Sequence, residues 1–134
     1  MSLTVTPELV EAANRGHVDD DAFLACVRMS LPYAYDMVAQ LAAELPEARA
    51  DGRRDFADSL VPPPDDTAAG QLLRAMASTS IRGALERYFG VRIAFQNCHR
   101  VAVFAPGTTD GDQYRRFVSA EAQILNQQPG FVNC

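Results

Sequence analysis

The sequence predicts an α+β fold, mostly helical, with about five helices and one antiparallel β-hairpin near 91–105. Three observations carry this. Apolar residues recur at three and four through most of the chain, the period of a helix buried along one face. Between Gly90 and Pro106 that period drops to two, the period of a strand. Helices gather before and after this β segment rather than alternating with strands, which argues against a parallel α/β sheet. At 134 residues the chain reads as a single globular domain, 1–134, able to close one core without disulfides or metal.

Taken in order, Thr6, Pro7 and Glu8 read as an N-cap, a proline at the first helical position and an acid on the helix dipole. That helix is expected to end near Arg15, with Gly16 as left-handed cap. Asp19, Asp20 and Asp21 open a second helix, which Pro32 should break near Ser30. A third follows, with Leu31, Ala34, Tyr35, Val38, Leu41, Ala42 and Leu45 along one stripe. Residues 46–66, punctuated by Pro46, Gly52 and Pro62 to Pro64, form an irregular proline-rich strap. Phe56 and Leu60, four apart, suggest a helical turn in its middle. The helical period resumes at Thr67 and runs to Tyr88. The poor helix formers Ser78, Thr79 and Ser80 allow two helices to meet there, and Gly90 supplies the stop.

Val91, Ile93 and Phe95 then alternate with Arg92, Ala94 and Gln96, and a second β-rich run spans Arg100 to Ala105. One strand through both would be about 50 Å long, too long for this domain, so a hairpin is the better reading. A loop at Gln96, Asn97, Cys98 and His99 pairs Phe95 with Arg100, Ile93 with Ala102 and Val91 with Phe104, gathering an apolar set on one face. Two strands alone are marginal. The hairpin must pack on helices, or lend its edge to a second copy and extend into a larger sheet across a homodimer. Asp112 is expected to cap a last helix bearing Tyr114, Phe117, Val118, Ile124 and Leu125, ended by Pro129 and Gly130.

The net charge of −5 argues against a nucleic-acid binder and against docking on anionic membranes. Apolar runs fall far short of a bilayer span. Glu8 and Glu11 stand where a signal peptide would carry basic residues, so the expected location is cytoplasmic. All twelve basic residues are arginine, as in a protein from a GC-rich bacterial genome. The absence of lysine excludes Schiff-base chemistry, pyridoxal attachment and lysine-dependent phosphate loops.

Chemistry is best looked for at the hairpin tip, where Asn97, Cys98, His99 and Arg100 are held on a bend. A thiolate beside an imidazolium and a guanidinium has a lowered pKa. Cys98 is the candidate nucleophile of a thiol-dependent enzyme, with His99 or His17 as base and Arg100 as anion clamp. Cys98, His99 and Cys134 are also the candidate metal ligands, with Cys26 and His17 as further N and S donors. The structural alternatives are a turn at Asn97, a packed thiol at Cys26 and a cap region at His17. The doublets Arg53–Arg54 and Arg115–Arg116 can clamp a carboxylate or phosphate, although solvated faces are the commoner outcome. Asp19 to Asp21 and Asp110 to Asp112 are explained by capping and turns. Tyr35 reads as core, while Tyr33 can reach a pocket. No catalytic motif assembles.

The expectation is a small cytosolic bacterial protein, a non-catalytic module for a protein partner or small-molecule ligand, with no cofactor. The alternatives are the thiol enzyme and the metal-binding protein.

Overall fold

The computed structural model of the chain describes residues 3–96 and 100–126. Its helices are α1 (Pro7–Asn14), α2 (Asp20–Ser30), α3 (Pro32–Ala48), α4 (Asp66–Ala77), α5 (Thr79–Phe89), α6 (Asp112–Phe117) and α7 (Ala120–Leu125). Its strands are β1 (Phe56–Ser59), β2 (Arg92–Gln96) and β3 (Arg100–Phe104), in one antiparallel sheet of order β1-β3-β2. The fold is α+β and mostly helical. No helix among the described residues is long and apolar enough to cross a membrane.

The local signals act largely as predicted. Thr6 accepts from the Leu9 N–H at 3.2 Å, and Asp19 from the Ala22 N–H at 3.1 Å. Leu31 leaves the helical region and separates α2 from α3 at the Pro32 boundary. Ser78 accepts from the Ile81 N–H and divides α4 from α5. Gly90 takes φ +66°, a conformation open to glycine without strain, and turns the chain into β2.

Besides the hairpin register, four expectations are corrected. Pro46 lies inside the last turn of α3 rather than in the strap, where its missing N–H forfeits a single helical bond. The middle of the strap is strand β1 rather than a helical turn, because Phe56 to Ser59 find a free edge on β3. The last helix is two short ones: Ser119 accepts from the Ala122 N–H and starts α7 afresh. Asp112 does not cap α6; Gly111 holds the cap position and Asp112 lies in the first turn.

The hairpin forms, but one residue out of the expected register. Ile93 faces Val103, Phe95 faces Val101 and Gln96 faces Arg100. The expected register treated the sheet as one-sided. In fact both faces are covered. Ala57, Ile93, Val101 and Val103 join Val27, Val38, Leu41, Leu72, Ile81 and Leu85 in the main core. Ala94, Ala102 and Phe104 point the other way, onto Phe117 of α6 with Phe56 and Tyr114 alongside. Phe104 stacks on Phe56 with ring centroids 4.8 Å apart and meets Phe117 edge-on at 5.7 Å. A sheet with two buried faces does not need its apolar residues to share one side.

The sheet is extended by this chain's own strap on the β3 side. At the opposite edge, the Ile93 N–H donates to the Glu86 carboxylate at 2.8 Å, which occupies one of the groups a second copy would need.

Candidate functional site

The second face of the sheet is apolar at one end and polar at the other. Phe56, Phe104 and Ala102 make the apolar end. Asp58, Arg100 and Gln96 make the polar one, because alternation along β1, β2 and β3 delivers all three to the same side. Arg100 donates from Nε and Nη2 to the Asp58 Oδ2, at 3.1 and 2.9 Å, and from Nη1 to Gln96 Oε1 at 3.3 Å. Arg54 donates to the other Asp58 oxygen at 3.0 Å. The Asp58 side chain is only 8% exposed, so two guanidiniums compensate one nearly buried carboxylate.

Gln96 joins this cluster to the C-terminal helices. It is 2% exposed, donates to the Phe117 carbonyl and accepts from Asn126 Nδ2 at 2.8 Å. The Arg100 guanidinium also lies 5.0 Å over the Phe117 ring. On the strap side, Gln113 of α6 accepts from the Asp55 N–H at 2.8 Å and donates to the Arg53 carbonyl at 2.9 Å. A single amide side chain thereby seats Arg53 against α6.

These bonds frame a cleft between the strap, the end of β3 and α6. Its volume is about 410 Å³, and its charged lining among the described residues is Arg53, Arg100 and Arg116. Phe56, Phe117 and Ala122 supply apolar wall, and Gln96 and Gln113 supply amides. A second hollow continues past Arg100 and Arg116 toward Ser119, Glu121 and Asn126. Arg116 has no carboxylate partner among the described residues, while Arg53 reaches only Asp51, at 3.9 Å. Three of the five N–H donors of Arg100 are matched, which leaves two without an acceptor among the described residues.

Of the residues predicted to do chemistry, Cys98, His99 and Cys134 lie outside the described residues, as does Asn97. Arg100 is described and is held as a cation in a polar cluster. Cys26 is buried, and its thiol donates to the Thr4 carbonyl at 3.3 Å, as a packed thiol does. His17 is exposed and lines a hollow of about 340 Å³ between α1 and α2, together with Cys26, Leu9 and Met29. Among the described residues no three His, Cys, Asp or Glu side chains group as metal ligands.

Tyr33 lines a groove between α3 and the segment after β1, with Met37 and Pro62. Burial, reinforced by the Asp65 charge, pushes its hydroxyl pKa up. Asp20 turns outward to Arg87 of α5 with two hydrogen bonds, at 2.8 and 3.0 Å. The roles of Asp58, Gln96 and Gln113 were not foreseen. Asp58 sat in a stretch expected to be irregular, and neither glutamine belongs to a motif. The arginine doublets were the visible signal, and one member of each lines the cleft.

Over residues 1–134 the chain matches the family described as NucS shadow ORF. The chain belongs to that family. No curated protein and no solved structure matches it. The NucS shadow ORF description names no ligand and no reaction.

Proposed function

We propose that the protein is a non-catalytic binding module for a small anionic ligand, held in the cleft between the strap, β3 and α6. The supporting observation is the convergence of Arg53, Arg100 and Arg116 from three separate segments in a chain whose net charge is −5. Concentrating cations in one concavity of an acidic protein raises the local potential where field lines are focused by apolar walls. The volume is that of a small-molecule site. The arginine-only basic set supports a GC-rich bacterial source.

The reading is tested by nuclear magnetic resonance on the full chain labelled at arginine. At low ionic strength, sodium benzoate and inorganic phosphate should each be tried as probes. At least one should shift the Nε–H signals of Arg100 and Arg116, and Arg116→Gln should weaken the response at Arg100. Guanidinium signals that stay still with both probes would remove the proposal.

A further inference from the structure

The cleft has more positive charge than a carboxylate can use. Among the described residues its charged lining is three guanidiniums and no carboxylate: Asp58 bonds Arg100 without lining the cavity, and Glu121 lines only the adjoining hollow. Residue type carries no weight here: in a chain without lysine every cation is arginine. Number and direction do carry weight. A carboxylate is flat, with two oxygens and one charge, and is saturated by one or two guanidiniums. A phosphoryl group presents three terminal oxygens in three directions and approaches two charges near neutrality. Arginines arriving from the strap, from β3 and from α6 approach from three directions. The wall beside them is aromatic, with Phe56 and Phe117 in edge contact at 6.0 Å between ring centroids.

Resting on the proposed function above, we infer that the ligand is a phosphate monoester. Its dianionic phosphoryl group sits among Arg53, Arg100 and Arg116, and an apolar, ring-bearing remainder lies against Phe56 and Phe117. Arg100 is the fixed member, locked by Asp58 and Gln96. Arg53 and Arg116 are exposed and close from either side.

Phenyl phosphate and benzoate are the probes, since they share a ring and differ in the anion. Affinities are measured on the full chain by calorimetry between about pH 5 and pH 7.5, the span over which a phosphomonoester gains its second charge. Benzoate keeps one charge throughout. Asp58 beside Arg100 and Glu121 in the adjoining hollow face both probes alike, so the difference between them reports the ligand's second charge. Phenyl phosphate is expected to tighten by about tenfold across that span relative to benzoate. Arg53→Gln and Arg116→Gln, both at exposed positions, should each weaken it by about fivefold.

Equal and parallel binding of the two probes would overturn the phosphate inference and leave the anion-binding module standing. Phenyl phosphate binding that neither substitution changes would lie outside the cleft and overturn both readings. Failure of both probes to bind would overturn the module as well.

Discussion

At the scale of single residues, Gln96 does more than its side chain's modest chemistry suggests. It is nearly fully buried, yet each end of its amide is used: the oxygen by Arg100 and Asn126, the nitrogen by the Phe117 carbonyl. A buried polar group is tolerated only when its partners are in place, and removing it strands those partners. Gln96→Leu preserves volume and removes one hydrogen-bond partner from each of Arg100, Asn126 and the Phe117 carbonyl. It is expected to destabilise the fold by about 2 kcal/mol, within the usual range for buried groups left unsatisfied. Denaturant unfolding measures this, and a loss under about 0.5 kcal/mol would mean that water serves those groups as well as Gln96 does. Asp58 obeys the same logic with charge. Its carboxylate pairs with both Arg54 and Arg100, and either cation alone leaves it half compensated.

Between elements, the contact of α2 with α5 includes one ion pair with a legible pH signature. The Arg87 guanidinium, hydrogen-bonded to Asp20, holds that carboxyl below its ordinary value. A group whose folded pKa is depressed stabilises the native state when ionised. The contribution is therefore present above the unfolded aspartate value of about 3.9 and fades as pH falls through the lower folded value. Carboxyl NMR should find the Asp20 midpoint below the ordinary range, and Arg87→Gln should return it there. Identical midpoints in the two proteins would show that the pair does not persist in solution.

The elements also show what could be read in advance. Caps at Thr6 and Asp19, the helix junction at Ser78 to Ser80, the Pro32 break and the Gly90 stop were legible because each acts through its own few residues. Strand β1 was not, because Phe56 to Ser59 become a strand only by meeting β3 some forty residues later. The hairpin register failed for a related reason. Phe104 belongs with Phe117, and nothing in the alternation of β3 says that α6 will cover that side. The same gap hid the cleft: Arg53, Arg100 and Arg116 were each visible, and their meeting was not.

For the molecule as a whole, the sheet sets an order of events. The β2–β3 pair is local, whereas β1 must be brought to β3 across the chain, with Phe56 beside Phe104. Closing so long a loop loses entropy before contacts repay it, so the β1 ladder should form after the rate-limiting step. Ala57→Gly, which weakens β1 by about 0.5–1 kcal/mol, should speed unfolding and leave the folding rate nearly unchanged. Ile93→Val, in the hairpin core, should slow folding instead. A folding rate that falls as far for Ala57→Gly as for Ile93→Val would refute this order.

If the strap arrives last, nascent chains pass through a stage in which β3 offers a bare row of amides and carbonyls to whatever strand comes near. In a crowded cell that is the interval when two newly made copies are most prone to stick together. The strap that walls the cleft also ends this exposure.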